Sequence, residues 1–213
     1  MHPLAVEDAQ TGHERPKIEE YGDSLFAVLH LVEPTDGEFH VGELAIFAGS
    51  NYVLSVRNNA RNGFQDVRAR CEREPDLLRH GPGFILYALM DAVADRYFPI
   101  LELLEDELDA VEASIFAPTG VPRENIESLY ALKQRLMVMK HAVAPLLEGI
   151  SNLSGARVPP LCAGTSLYFK MALRLRAFVG GHGRSRCFTV LSLQTSPLAL
   201  ASRDATTCAS GPK

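Results

Sequence analysis

Apolar residues in the first sixty positions recur in short runs with partial alternation, a pattern typical of β-strands. Four such runs are separated by turn residues and follow a short helical segment with a proline in its first turn. The pattern predicts a helix over residues 2–10 and strands over residues 17–21, 24–32, 37–49 and 51–58. The third run alternates imperfectly, which indicates a sheet covered on one face and partly on the other.

After these strands, the apolar residues recur at the spacing of an α-helix. This spacing predicts a short amphipathic helix over residues 64–74 and a long helix over residues 83–117, which Pro99 should kink. Beyond Pro99 the apolar positions lie three and four residues apart, and the same spacing resumes after a helix-breaking segment at residues 117–125. This heptad seam consists of Leu101, Leu104, Leu108, Val111, Ile115, Leu129, Leu132, Leu136, Met139, Val143, Leu146, Ile150 and Leu153. The short connection predicts an antiparallel hairpin whose second arm bends at Pro145.

These elements define the expected fold class, an α/β (α+β) domain followed by long, coiled-coil-like antiparallel helices. We assign residues 1–80 to a partial α/β domain and residues 81–160 to an acid-rich helical hairpin. Residues 161–213 form a divergent tail in which no period persists, apart from a short helical pattern at residues 166–178. We expect poor order from about residue 180 onward.

The charge distribution supports a boundary near residue 160. Residues 1–160 hold 25 acids and 14 bases, whereas residues 161–213 hold one acid and seven bases. The net charge of −5 gives no reason to expect a nucleic-acid partner. Four cysteines without a C-x-x-C pair imply neither a zinc site nor a disulfide framework, so a reducing compartment is expected.

Two pairs of acids are candidates for binding a divalent cation. Glu7 and Asp8 are adjacent in the first helix, and carboxylate oxygens are the ligands that Mg²⁺ prefers. They could equally complement the helix dipole on a surface turn. Asp91 and Asp95 share a helix face in an otherwise apolar stretch, where a buried carboxylate needs a metal or a base as partner. The alternative is a polar stripe in which Arg96 satisfies Asp95.

The stretch "ELLEDELDAVE" is the densest acidic segment of the chain. Its six acids are Glu102, Glu105, Asp106, Glu107, Asp109 and Glu112. They flank the heptad seam, where they could pair with Lys133, Arg135 and Lys140 on the returning arm. Alternatively, the surface as a whole could concentrate divalent cations. No zinc spacing, nucleophile elbow or phosphate loop accompanies the acids, so a metal-dependent hydrolase ranks low and we expect no enzyme.

Several motifs in order carry a family resemblance. "HPLAVEDA", "RPKIEEYGDSLFAVLHLV", "NYVLSVRN", "LYALMDAVADRYFPILELLEDELDAVEASIF" and "LYALKQRLMVMKHAVAPLLEGISNLSG" together resemble the cytoplasmic domain of CorA-type magnesium and cobalt transporters over residues 2–160. The resemblance implies a homopentamer in the cell (inner) membrane, with this domain in the cytoplasm and a stalk that leads to two membrane spans. It also implies a regulatory divalent site, for Mg²⁺ and by extension Co²⁺, that includes Glu7, Asp8 and Asp91.

The sequence also departs from the family pattern. We find no first strands before His2, no acidic stalk segment after Pro160 with its opposing carboxylate, no Gly-Met-Asn signature and no membrane span. We therefore expect a truncated, cytoplasmic subunit that does not conduct ions alone, with Met1 an internal start and residues 161–213 a frameshifted read-through. The alternative is a stand-alone soluble module that senses divalent ions or serves as a helical scaffold.

Overall fold

A computed structural model describes residues 1–35, 37–116, 122–155 and 158–172. It contains four strands: β1 (Lys17–Tyr21), β2 (Ser24–Thr35), β3 (Glu38–Gly49) and β4 (Tyr52–Asn58). The α-helices are α1 (Pro3–Thr11), α2 (Gln65–Arg73), α3 (Pro75–Leu78), α4 (Pro82–Phe116), α5 (Pro122–Ser154) and α6 (Ser166–Ala172), with a 3₁₀ helix at Pro160–Thr165 before α6. This mixed α+β composition confirms the predicted fold class.

The strands form an antiparallel sheet in the order β1-β2-β3-β4. Each strand pairs with its neighbour in sequence, as in the register Ala27 opposite Ile46. Gly22 turns the chain between β1 and β2 with a φ of +61°, a conformation that favours glycine. The four predicted strands and the turn after Gly49 are thereby confirmed, with β2 extending three residues beyond its predicted end.

Both faces of the sheet bury apolar side chains. Phe26, Val28 and Phe47 point to one face, where they pack with residues of α1. Their neighbours in the strands, such as Leu29 and Ile46, point to the other face and pack with α4 and α5. Successive side chains of a strand alternate between faces, so a strand apolar at nearly every position requires cover on both sides. The sheet therefore separates α1 from the helical hairpin.

Helices α4 and α5 form the predicted antiparallel hairpin. Ser114 donates a hydrogen bond to Asn125 at 2.6 Å, and further along Arg135 donates to Glu107 at 2.6 Å. The seam is buried through most of its length, but Ile115 is 48% exposed near the end of α4. Leu129 on α5 is 45% exposed, so the apolar contact opens towards the connection at residues 117–121, which lie outside the described residues.

Proline and glycine residues inside α4 and α5 constrain the backbone and packing of these helices. Pro99 and Pro145 lie inside α4 and α5, each removing one main-chain N–H from the helical ladder. Gly149 of α5 approaches β1 closely, since a Cβ built on it would lie 2.4 Å from Cδ1 of Ile18. In the described ranges, no helix combines the length and the apolar character needed to cross a bilayer.

Residues 160–172 pack into the core, and α6 begins at residue 166, where the short helical pattern predicts a helix. Cys162, Thr165 and Phe169 are each completely buried, and the 3₁₀ helix and α6 pack against α4 and α5. Tyr168 contacts three rings of α4 and the turn before it, those of His80, Phe84 and Tyr87. One core therefore extends across the predicted boundaries at residues 80 and 160. The expectation for the rest of the tail falls on residues 173–213, outside the described part.

Replacing Gly83 with alanine should weaken the docking of the 3₁₀ helix. A Cβ at this position would lie 2.4 Å from the main-chain oxygen of Leu161, too close without a backbone shift. We expect a loss of about 1–3 kcal/mol in the free energy of unfolding in urea. Burial raises the pKa of the Cys162 thiol to about 12, so this thiol should alkylate slowly in the native protein and faster in the variant.

Gly164→Ala is the matched control for that experiment. The nearest atom to its added Cβ is Nδ1 of His80 at 3.8 Å, an ordinary contact. This variant should keep the wild-type rate of Cys162 alkylation. Equal alkylation rates for Gly83→Ala, Gly164→Ala and the wild type would contradict the described packing.

Tyr97→Phe should destabilise the junction between α4 and β2. The buried Tyr97 hydroxyl donates to the main-chain oxygen of His30 at 2.6 Å, and burial raises the pKa of Tyr97, which keeps the donor protonated. Loss of this bond should lower the free energy of unfolding by about 1 kcal/mol. Tyr130→Phe, at an exposed position, should change it by less than about 0.5 kcal/mol. Indistinguishable urea midpoints for the two variants would refute this assignment.

Candidate functional site

Helix α1 is held against the sheet at both ends. Ala5 and Ala9, four residues apart, face the sheet and are buried with Phe26 and Phe47. The helix ends at Thr11 and is capped by Gly12, whose φ is +55° and whose N–H donates to the main-chain oxygen of Asp8. These contacts place the two candidate acids of α1 on its outer surface and on its flank towards β1.

The C-terminal end of α1 also bonds to the far edge of the sheet. Asn58 of β4 donates from Nδ2 to the main-chain oxygen of Ala9 at 2.7 Å. At the other end, the ring of His2 stacks on Tyr21 with 4.4 Å between ring centres. The helix therefore lies across the sheet in a fixed position, although it is only nine residues long.

Glu7 and Asp8 have different surroundings despite being adjacent. The Glu7 side chain is exposed, as expected for a position opposite the buried Ala5 and Ala9. Asp8 is partly buried and accepts a 2.7 Å hydrogen bond from Nζ of Lys17, at the start of β1. The two acids are visible in the sequence pattern, whereas nothing in that pattern indicates that Lys17 binds Asp8.

Lys17 lies at the centre of three carboxylates. Besides Asp8, its Nζ is 3.4 Å from Oε2 of Glu19 and 3.7 Å from Oε2 of Glu14. Burial alone would lower the pKa of Lys17, but hydrogen bonds and charges from Asp8 and Glu19 outweigh it and hold the pKa above its usual value. The ammonium group is therefore a permanent cation at this position.

Hydrogen bonds from two strands hold the loop between α1 and β1 in place. The main-chain N–H of His13 donates to Oε1 of Glu43 on β3 at 2.6 Å, and the ring Nε2 of His30 on β2 lies 3.1 Å from the main-chain oxygen of Glu14. His13 has a φ of +110°, an unusual value that this anchoring stabilises. His30 and Glu43 lie opposite each other in the ladder, which places both beneath the loop.

Asp91 is a buried carboxylate with a base close by. Its side chain is 7% exposed in α4, and Nη2 of Arg70 in α2 lies 3.6 Å from its Oδ2. Of the two partners that the sequence left open for this acid, a metal or a base, the structure provides a base. Asp95, four residues later, is exposed. Arg96 donates to the main-chain oxygen of Gly63 and lies over the ring of Phe64 at 4.1 Å.

One chain does not bring the three predicted metal ligands together. Glu7 and Asp8 lie on the α1 face of the sheet, whereas Asp91 belongs to the helix on the opposite face. In the part of the chain that the structure describes, no three Asp, Glu, His or Cys side chains are placed to hold a metal ion. The oxygen donors suit Mg²⁺, but their placement within a single chain does not. Their shared role in a divalent site remains a prediction.

The acid-rich part of α4 is mostly a solvated helix face. Glu102, Asp106 and Asp109 are exposed. Glu107 differs, since both its oxygens face the guanidinium of Arg135 and the pair is largely buried. This confirms one of the predicted pairs between the hairpin arms. Because the fork of an arginine fits a carboxylate in one geometry, the pair fixes the register of α5 against α4.

Solved structures with the same fold identify the class of this protein. The soluble domain of CorA from Methanocaldococcus jannaschii superposes with a TM-score of 0.58 at 18% identity, covering 88% of this chain and 76% of that one. The ZntB cytoplasmic domain from Vibrio parahaemolyticus gives a TM-score of 0.62 at 11% identity, covering 91% and 72%. The chain has the fold of a CorA soluble domain.

The family follows from sequence. The family model described as "CorA-like Mg2+ transporter protein" matches residues 1–172, and the chain belongs to this family. A cobalt/magnesium transport protein CorA from Thermotoga maritima is 30% identical over 164 residues, which are 76% of this chain and 46% of that protein. The chain spans about half the length of the curated relatives it matches. The match beyond residue 160 agrees with the packed position of the 3₁₀ helix and α6.

Arg70→Met should be costly because it removes the cation 3.6 Å from the buried Asp91. We expect a loss of about 1–3 kcal/mol in the free energy of unfolding in urea, with partial recovery in Arg70→Met/Asp91→Asn. Arg68→Met, which breaks an exposed pair with Glu72 on the same helix, should leave the urea midpoint close to that of the wild type, because solvent screens such a pair. If Arg70→Met is as mild as Arg68→Met, Arg70 does not stabilise the Asp91 carboxylate.

Proposed function

We propose that this chain acts as the cytoplasmic ion-responsive part of a CorA-family transporter for divalent cations, Mg²⁺ or Co²⁺. The observation that carries the proposal is the family match over residues 1–172 together with the fold of a CorA soluble domain. The role is regulatory and includes no catalytic step. Transport itself, the homopentamer and attachment to the cell membrane belong to the same proposal for the whole assembly.

The placement of the acids favours a site between chains over one within a chain. Glu7 is exposed and Asp8 partly so, and both lie on a surface that a neighbouring copy could cover. Acids on two such surfaces repel each other, and a divalent cation between them would remove the repulsion. Binding of the ion would then be coupled to association of the chains, which is how an ion concentration can be sensed.

The buried Asp91 enters this proposal differently from the acids of α1. With Arg70 beside it and little exposure, it could contribute to an ion site only after a change in the contact between α2 and α4. We therefore propose Glu7 and Asp8 as the primary ligands and Asp91 as a ligand that requires such a rearrangement. Carboxylates are hard oxygen donors, and Mg²⁺ bound through one or two of them keeps several waters.

The test is whether millimolar Mg²⁺ changes the association of the purified full chain. Sedimentation velocity should show larger species with Mg²⁺ for the wild type and much less change for Glu7→Gln/Asp8→Asn, because that variant lacks the proposed ligands. Glu72→Gln/Asp76→Asn is the matched control, since it removes two carboxylates of α2 and α3 that form exposed pairs. The control should respond as the wild type does.

Two results would overturn the proposal. Either the wild type shows no response to Mg²⁺ or Co²⁺, or Glu7→Gln/Asp8→Asn responds as fully as the control. A stand-alone ion-responsive module would give the same expected result, so the experiment tests the ion response and its ligands. Attachment to a transporter requires a second measurement, the recovery of the chain with membranes when it is expressed together with a full-length CorA-family subunit.

A further inference from the structure

The surroundings of Asp8 contain a cation supplied by the protein itself. The Nζ atom of Lys17 lies within 4 Å of carboxylate oxygens from Asp8, Glu14 and Glu19, which come from α1, the following loop and β1. The shortest of these contacts, 2.7 Å, is to Asp8. The ammonium group therefore takes the position beside Asp8 that a metal ion bound to this carboxylate would need.

Lys17 is held in this position by more than its charges. Its ammonium lies 5.9 Å above the ring of Phe26, a buried residue of the core beneath α1. Glu19, one of its three carboxylates, also accepts a hydrogen bond from the hydroxyl of Tyr21 at 2.8 Å. The base and its acids thus form a defined cluster at the edge of the sheet, unlike a mobile surface pair.

We propose that Lys17 is a tethered counter-ion of Asp8, which a divalent cation must displace before it can bind there. The inference rests on the proposed function, because it assumes that Asp8 is a ligand of the sensed ion. Lys17 is then a positioning residue that never contacts the bound ion. It sets the ion concentration at which the domain responds, and it balances part of the negative charge of the acid cluster when the ion is scarce.

The consequence for affinity follows from charge. Removing the ammonium leaves the Asp8 carboxylate without its adjacent cation, so a divalent ion would no longer have to displace a positive charge in order to bind there. We expect Lys17→Met to bind Mg²⁺ on the order of tenfold more tightly than the wild type. Lys17→Arg keeps the positive charge and should bind Mg²⁺ about as weakly as the wild type. If Lys17 had only a structural role, the affinity for Mg²⁺ would not differ in this way between Lys17→Met and Lys17→Arg.

The first experiment is a calorimetric titration of the full chain with MgCl₂ and, separately, CoCl₂. The matched control is Arg68→Met, which also removes one positive charge from an ion pair but at an exposed position on α2. Tighter binding by Lys17→Met, with Arg68→Met and Lys17→Arg unchanged, supports the proposal. Equal affinities of Lys17→Met and Arg68→Met overturn it.

The same titration separates this inference from the function on which it rests. If neither the wild type nor Lys17→Met binds either ion, the proposed ion response fails. If the wild type binds, Asp8→Asn does not and Lys17→Met is unchanged, the ion response stands and the counter-ion role of Lys17 fails.

A second measurement uses the wild-type chain and does not depend on the folding of a variant. Acetylation of lysines by acetic anhydride, read by mass spectrometry, reports how available each amine is. Displacement by Mg²⁺ should increase the acetylation rate of Lys17 and leave that of the exposed Lys133 unchanged. A Lys17 rate that stays constant or falls at saturating Mg²⁺ overturns the proposal when the protein binds the ion and sedimentation velocity shows no association that would shield the amine.

Discussion

The ladder between β2 and β3 is the interaction on which the rest of this structure depends. Both strands are twelve residues long and apolar at most positions, so their pairing creates two apolar faces at once. Exposure of either apolar face to water is unfavourable, so other parts of the chain must pack against each face. A nine-residue helix suffices on one side because the small side chains of Ala5 and Ala9 let it lie close to the strands. The other side needs both arms of the long hairpin.

The periodicity of the sequence predicts the strands and helices, but it does not predict which side chains pair between them. The strand runs and the heptad seam report the burial of each residue locally, so the four strands and both long helices follow from the sequence. The pairs Lys17 with Asp8 and Arg70 with Asp91 join different elements, and no spacing along the chain encodes them. The segment after residue 160 shows the same limit. Its sequence predicts the helix that begins at residue 166 but not the 3₁₀ helix before it, which has too few turns to show a period. The packing of both comes from contacts with Gly83 and the aromatic rings near the start of α4.

Of the four candidate acids, the two that are shielded from water, Asp8 and Asp91, have a base beside them, whereas Glu7 and Asp95 are exposed. This distribution follows from the cost of removing a charge from water, which is large unless an opposite charge compensates it. Acidic clusters in this chain therefore differ in kind. The carboxylates of Asp8 and Asp91 are built into the fold, whereas Glu102 and Asp106 on α4 remain solvated. A count of acidic residues alone would treat these four carboxylates, which differ in burial and pairing, as equivalent.

The close approach of Gly149 to Ile18 has a consequence for the evolution of this fold. The Ile18 side chain occupies the space beside Gly149, because a Cβ there would lie 2.4 Å from its Cδ1 and 2.9 Å from its Cγ1. A larger residue at position 149 must displace this side chain, and a smaller residue at position 18 would remove the clash. The two positions should therefore covary among sequences of this fold, although 131 residues separate them along the chain.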